Sequence, residues 1–323
     1  MRTQLPFVLI ATALACSLAT APAHARARTF VASYGNDSNP CTFGSPCKTF
    51  QQAVTLVDAG GEVTAIDSAG FGPITINKGV TITSPAGVEA GIVPVATGNG
   101  ITINAGPNDA VILRGLTLNG SDGAYYGIVF NSGGSLTVTD CVVQQFVNAG
   151  GFPPTGIGIL IQPTSGTVNF TITNTIAVSN GGVGIAYSPL SGGATTTGVI
   201  DHVVANSNLA GILAFTQTPA GGTAVIAISN SVANSNVSTG VNIGNGLGTM
   251  TVTIDNVSAI GNNVGIAATT NATALLGRSV ITGNNVGVSN ATMSNTFYTY
   301  GNNQINLNNT DINPSLNTAF TPR

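Results

Sequence analysis

The sequence predicts an all-β, single-domain, right-handed parallel β-helix, which is a solenoid of short coils. Three observations predict it: a repeat, β-branched residues in alternation, and turns of Gly, Asn, Ser and Thr. In the repeat, five segments align without gaps, and their second asparagines are separated by 28, 28, 26 and 22 residues. The aligned segments are 174–180, 202–208, 230–236, 256–262 and 278–284.

Each aligned segment is followed by glycine and a branched aliphatic residue, so that one coil holds three short strands. A coil of this kind buries its apolar face only against its neighbours, which predicts one continuous domain over residues 28–323. The glycine pairs that mark the coils are Gly184-Ile185, Gly211-Ile212, Gly240-Val241, Gly265-Ile266 and Gly287-Val288.

The first part of this domain is expected to close the end of the solenoid. Residues 48–57 have an amphipathic helical pattern that ends at Asp58 and Gly60. A short helix over the first coil covers apolar side chains and strand edges that are otherwise exposed. The sequence therefore predicts an N-terminal cap region over residues 28–70, with one capping helix.

Strand alternation assigns one polar column to the interior. If Ile228 points inward, Asn230 does so too, whereas Ser229 faces solvent. Stacked polar side chains at such a corner bond one another and the turning backbone, so we interpret the column as a structural ladder. It comprises Asp140, Asn174, His202, Asn230, Asn256 and Arg278.

The N-terminus predicts export. Arg2 precedes an apolar stretch, and small residues follow at 23–27, as in a secretory signal peptide over residues 1–27. We therefore expect a secreted or periplasmic protein, in which Cys41 and Cys47 form a disulfide across a short loop. Free thiols are the alternative for that pair. Cys141 lies in an apolar run and is expected to be buried.

Composition excludes several functions. Charged residues make up 6% of the chain, with eight Lys and Arg in total, so that no basic surface for nucleic acid is expected. The apolar stretch near the N-terminus is too short for a good membrane span. No group of Cys and His ligands predicts a zinc site, and no cofactor is expected.

Three motifs and the coil pattern resemble the pectin-lyase-like superfamily of right-handed β-helices, within it small exported bacterial proteins of uncharacterised function. The motifs are residues 30–37, 46–53 and 72–78, and the resemblance covers nearly all of the mature chain. Families on this fold include pectate lyases, polygalacturonases, other polysaccharide lyases, adhesins and surface proteins. The resemblance thus implies the fold and the cap, and leaves the reaction open.

An enzymatic alternative rests on two aspartates. The resemblance implies that a catalytic member gathers aspartates with His, Arg or Lys, or around Ca²⁺, whereas the acids here are scattered. Asp201 and Asp255 both face solvent two coils apart, about 9.6 Å between backbones. That is near the upper limit of about 9.5 Å for carboxyl groups in an inverting glycosidase. Solvated surface aspartates are the alternative reading of this pair.

A binding role is the first hypothesis. Variable segments at 188–198, 216–222 and 244–248 are expected on one side of the solenoid, with Phe215 beside them. Phe215, Tyr125 and Tyr126 are candidate stacking faces for polysaccharide, although the absence of Trp weakens a carbohydrate platform. We therefore favour an exported binding or structural protein over an enzyme and leave the enzymatic reading open. The alternative is a lyase or glycoside hydrolase acting on uronic-acid polysaccharide, with Ca²⁺ only in the lyase case.

Overall fold

The computed structural model describes residues 26–150, 154–189, 192–216, 221–246, 248–269, 272–290 and 296–318. The predicted signal segment lies outside these residues, apart from Arg26 and Ala27. The described residues form thirty strands and one helix, α1 (Phe50–Leu56).

The strands are short because a turn follows each face of a coil. In chain order they are β1 (Arg28–Val31), β2 (Gly61–Ala65), β3 (Ala69–Gly70), β4 (Ile74–Ile76), β5 (Val80–Thr83), β6 (Ala90–Ile92), β7 (Asn99–Asn104), β8 (Ala110–Arg114), β9 (Leu116–Asn119), β10 (Tyr126–Ser132), β11 (Ser135–Thr139), β12 (Val142–Gln144), β13 (Ile157–Ile161), β14 (Thr167–Thr173), β15 (Ile176–Val178), β16 (Val183–Tyr187), β17 (Thr195–Asp201), β18 (Ala210–Thr216), β19 (Thr223–Ser229), β20 (Thr239–Asn245), β21 (Thr249–Asp255), β22 (Ser258–Ile260), β23 (Val264–Ala268), β24 (Thr273–Gly277), β25 (Val280–Thr282), β26 (Val286–Asn290), β27 (Thr296–Thr299), β28 (Gln304–Asn306), β29 (Thr310–Asn313) and β30 (Asn317–Thr318).

These strands form three faces, and within each face neighbouring strands are parallel. This arrangement confirms the predicted right-handed parallel β-helix. A twelve-stranded sheet runs from β1 to β30, and a ten-stranded sheet runs from β4 to β29 and contains the Gly-Ile strands. The third face consists of a five-stranded and a three-stranded sheet, joined by bridges through Val204 and Val232. Each coil pairs with the next in register, as in the seven consecutive pairs between β17 and β19.

The first coil is closed as predicted. Helix α1 packs against β1, β2 and β4, and the ring of Phe50 lies 5.0 Å from that of Phe71. The helix begins after Thr49, whose hydroxyl accepts a hydrogen bond from Gln52 N. The predicted disulfide between Cys41 and Cys47 is confirmed, and both residues are buried.

The interior is one continuous apolar cluster that extends from the cap to the last coils. Residues in alternate strand positions fill it, such as Ile172, Ile200, Ile228 and Ile254, all at most 1% exposed. Cys141 is buried as expected, and burial raises the pKa of its thiol to about 11. Among the described residues, no helix combines the length and the hydropathy that a membrane crossing requires.

A ladder of buried asparagines connects the coils at the corner between the third face and the ten-stranded sheet. The Asn236 amide makes four hydrogen bonds. Its Oδ1 accepts from Asn208 N and Nδ2, and its Nδ2 donates to Ala205 O (3.1 Å) and to Asn262 Oδ1 (3.0 Å). The amides are fully satisfied although they are at most 4% exposed, which is what burial of polar groups requires. The buried ladder comprises Asn180, Asn208, Asn236, Asn262 and Asn284.

The same ladder explains the glycine of each Gly-Ile pair. A Cβ placed on Gly211 would lie 2.9 Å from Asn236 Nδ2 and 2.8 Å from Ala205 O. These are the atoms of the ladder hydrogen bond, so that a larger residue would displace the amide. The asparagine and the glycine that recur in the repeat therefore serve one contact between coils.

The sequence predicts that a column of six residues points inward. This prediction is wrong, because the six side chains are exposed. In each of them the backbone is left-handed, with φ between 49° and 56°. This conformation turns the chain at the corner and interrupts the strand alternation, so that the next residue points inward instead. Asn and Asp adopt a left-handed backbone more readily than most residues, which explains why they recur there. The column comprises Asp140, Asn174, His202, Asn230, Asn256 and Arg278.

We expect Asn236→Ala to lower the free energy of unfolding by about 3 kcal/mol or more. The substitution leaves several buried donors and acceptors of the ladder without partners, at about 1–3 kcal/mol each. Urea denaturation followed by circular dichroism measures the change. Asn169→Ala is the control, since Asn169 is exposed on the outer surface of β14. Equal free energies of unfolding for the two variants would contradict a stabilising role of the ladder.

Candidate functional site

A groove runs across the outer surface of the ten-stranded sheet, parallel to the solenoid axis. Its volume is about 590 Å³, which lies within the usual range of ligand pockets. The lining begins at Asn99 on β7 and ends at Thr269, just after β23, so that seven successive coils contribute to it. The site thus depends on the stacking of coils rather than on one loop.

The floor of the groove is aliphatic, and it forms a second apolar cluster outside the solenoid core. Here the outward-facing residues of successive strands are apolar as well as the inward-facing ones. Their register is direct: Val129 pairs with Leu160, Leu160 with Ala186, and Ala186 with Leu213. The floor comprises the buried residues Val129, Ile157, Leu160, Val183 and Ala186 and the partly buried Ala210 and Leu213, with Tyr126 packed against it.

Amides form one rim of the groove. Gln162 Nε2 donates to Asn131 Oδ1 (2.8 Å), and Asn131 Nδ2 donates to Asn104 Oδ1 (2.9 Å). The hydroxyls of Ser188, Ser238 and Thr239 also line the groove. Among the described lining residues none is charged, so that the groove offers hydrogen bonds and apolar surface but no ion pair.

The floor ends in an amide that has an unused acceptor. Asn242 follows Leu213 in the register of β18 and β20. Its Oδ1 is buried and has no hydrogen-bond partner within the described part of the chain. At the other end Thr102 precedes Val129, and Asn99 Nδ2 donates to its hydroxyl at 3.1 Å. The aliphatic row is therefore bounded by a satisfied hydroxyl on one side and an unsatisfied carbonyl on the other.

The structure brings two of the three aromatic binding candidates into this groove. Tyr126 and Phe215 line it, whereas Tyr125 does not. Burial raises the pKa of the Tyr126 hydroxyl above its usual value. The variable segments beside Phe215 lie partly outside the described residues, at 190–191, 217–220 and 247.

The aliphatic floor was not predicted, although the sequence carries a signal for it. Strands with one solvated face alternate apolar and polar residues, whereas strands covered on both faces are apolar throughout. Five Gly-Ile strands are apolar at three consecutive positions, and the middle residue of four of them belongs to the floor. These four are 128–130, 159–161, 185–187 and 212–214, whereas 266–268 lies beyond Asn242.

A second polar feature lies on the edge of the twelve-stranded sheet, and we call it the charged corner. It comprises Asp201, His202, Asp255 and Arg278, which are the only Asp, Glu, Lys, Arg and His between residues 141 and 300. Asp201 and Asp255 both pair with Ser229, one on each side, so they lie two coils apart as predicted.

Hydrogen bonds occupy the Asp201 carboxylate. Ser229 Oγ donates at 2.6 Å, Asn230 Nδ2 donates at 2.8 Å, and His202 Nδ1 lies 2.6 Å away. The bonds from Ser229, His202 and Asn230 lower the pKa of Asp201 to about 2. Because the carboxylate is then ionised at neutral pH and can only accept, the proton between the two side chains sits on His202 Nδ1.

Asp255 is paired with Arg278, whose Nε donates to Asp255 Oδ1 at 2.8 Å while Nη2 contacts Oδ2. The hydrogen bond and the charge of Arg278 lower the pKa of Asp255. An inverting glycosidase needs one carboxyl whose pKa is raised, because that group protonates the leaving oxygen. Both pKa values are shifted the opposite way, so the geometry does not favour the two aspartates as an acid and base pair.

No three Asp, Glu, His or Cys side chains gather as metal ligands anywhere in the described ranges. The carboxylates of Asp201 and Asp255 lie in one column, but each is bound to a neighbouring side chain instead. Calcium requires six to eight oxygen ligands, which two separated carboxylates do not supply.

No protein-family profile matches this chain. No curated protein sequence matches it either. The solved structures that are similar in fold include the following two. Pectate lyase Pel9A has a TM-score of 0.49 and 16% identity, covering 86% of this chain and 70% of that chain. The A-module of mannuronan C-5 epimerase AlgE4 from Azotobacter vinelandii has a TM-score of 0.48 and 16% identity, covering 81% and 91%.

The protein is a right-handed parallel β-helix. Its own strand pairing establishes the parallel stacking of the coils, and the right hand is the one that crossovers between parallel strands take. Because unrelated functions share one fold, the fold does not determine the chemistry of this chain, which depends on its own groove and corner.

The low pKa of Asp201 predicts a pH dependence of stability. A carboxyl with a lowered pKa stabilises the fold above its unfolded value of about 3.9, and the contribution is lost as the pH falls through about 2. Asp201→Asn is expected to remove part of the stability loss between pH 4 and pH 2, measured as the urea midpoint. Asp122→Asn, at an exposed aspartate, is the control. The same pH profile for both variants would contradict the assignment.

Proposed function

We propose that the protein is an exported binding protein and that the groove on the ten-stranded sheet is its ligand site. The observation that carries the proposal is the combination of an aliphatic floor with a rim of uncharged amides and hydroxyls. Ligand sites commonly have mostly apolar walls and a few placed polar groups. The groove suits a ligand that is uncharged and elongated.

The lining also argues against an acidic polysaccharide in the groove. A uronic-acid carboxylate placed there would lose hydration and meet no cation among the described lining residues. Burial of an unpaired charge costs several kcal/mol, on the order of the whole free energy of weak binding. A polysaccharide that occupies this groove is therefore expected to be neutral.

Two features support export. The Cys41–Cys47 disulfide is of a kind that persists in oxidising compartments. Residues 1–27 have the charge and hydropathy pattern of a signal peptide. We propose a secreted or periplasmic location on these grounds.

A binding panel tests the function. It comprises a neutral naphthalene dye, neutral oligosaccharides and uronic-acid oligosaccharides, with dye fluorescence and calorimetry as readouts. We expect uncharged ligands to bind and Leu213→Asp to weaken them at least about tenfold, because the new carboxylate lies on the floor. Val225→Asp is the control, since Val225 is 58% exposed on the twelve-stranded sheet.

Three outcomes of the panel contradict the proposal. They are no binding in any arm, tighter binding of uronic-acid ligands than of neutral ones, and binding that Leu213→Asp leaves unchanged. Cleavage of a uronic-acid polysaccharide, followed as unsaturated products or reducing ends, would support the enzymatic alternative at the charged corner instead.

A further inference from the structure

The groove also indicates the chemical class of its occupant. We infer that it binds the single aliphatic chain of a neutral amphiphile, with the polar headgroup at Asn242. This inference rests on the proposed function, because it identifies the ligand of the same groove.

The shape and composition of the floor support an aliphatic ligand. From Val129 to Leu213 the outward residues are aliphatic over three coil steps, which is about 14 Å at the usual strand spacing. Val129, Leu160 and Leu213 line the groove, whereas Ala186 is fully buried between them. The lining residues of this row offer contacts to methylene groups, as an extended acyl chain provides.

The scarcity of polar and aromatic groups on the floor argues against a row of sugars as the ligand. A sugar ring places hydroxyls on most of its edges, and each hydroxyl that loses water needs a partner. On the floor the side chains of Val129, Leu160 and Leu213 supply no such partner, and the aromatic rings of Tyr126 and Phe215 lie three strands apart. The floor therefore favours a hydrocarbon chain over a row of sugars.

The unsatisfied amide of Asn242 indicates at which end of the groove the polar headgroup of the ligand lies. Its Oδ1 is buried at the end of the aliphatic row without a partner in the described residues. A hydroxyl of an uncharged headgroup donates a hydrogen bond to such an acceptor once the side chain rotates towards the groove. Thr239, three residues earlier in β20, also lines the groove, and none of the described lining residues is a cation that could hold a carboxylate or phosphate.

The test compares lauroyl glycerol, methyl laurate, laurate and a neutral cello-oligosaccharide, each below any micelle concentration, by displacement of the naphthalene dye. Lauroyl glycerol is expected to bind most tightly, about fivefold more tightly than methyl laurate, which is the ratio that one average hydrogen bond gives. Laurate is expected to bind more weakly than both, since its carboxylate stays unpaired.

Two variants test the assignment of the residues. Asn242→Leu extends the aliphatic row and is expected to remove the preference for lauroyl glycerol over methyl laurate while both still bind. Leu160→Gln is expected to weaken both esters together. Val225→Gln on the twelve-stranded sheet is the matched control, and circular dichroism verifies that each variant is folded.

The outcomes separate the two proposals. Binding of the cello-oligosaccharide without the esters would overturn the aliphatic chain and leave the groove as a binding site. Equal affinity for laurate would overturn the neutral headgroup. Retention of the lauroyl glycerol preference in Asn242→Leu would overturn the role of Asn242. Failure of every compound to displace or bind would overturn the proposed function itself.

Discussion

The hydrogen bond between stacked asparagine amides is the interaction on which this structure depends. Each ladder amide is buried at a corner that every coil must turn, and it bonds both the coil before it and the coil after it. The glycine beside it is small because the amide of the next coil lies against its Cα. After Asn284 the partly buried Asn308 continues the ladder, since its Oδ1 accepts from Asn284 Nδ2 at 2.9 Å. The ladder ends there, because Asn308 Nδ2 donates to Asp311 Oδ1 within the last coil at 2.9 Å.

The groove follows from the same stacking. Parallel in-register strands place one residue of every coil in a straight row, so apolar residues at that position in successive coils produce an apolar floor. In β10, β13, β16 and β18 these residues are Val129, Leu160, Ala186 and Leu213. Where β20 supplies Asn242 instead, the apolar row ends. The extent of the site is therefore encoded coil by coil.

The sequence predicts the fold well because its period, turns and Gly-Ile pairs are local features that repeat. It predicts the corner less well. Strict alternation predicts that the column containing Asn230 points inward, because it does not anticipate a left-handed residue that turns the chain. The asparagine that is constant in the repeat, such as Asn236, is the better signal for burial. Asn242 depends on contacts between separate coils, which period and alternation do not describe.

A crystal structure with a bromine-labelled neutral acyl glycerol would locate the bound chain by the anomalous scattering of bromine. We expect bromine density over the aliphatic floor near Leu160, with the glycerol at Asn242. Density only at the charged corner or on the twelve-stranded sheet, or a groove that stays free of the ligand at saturating concentration, would contradict this expectation.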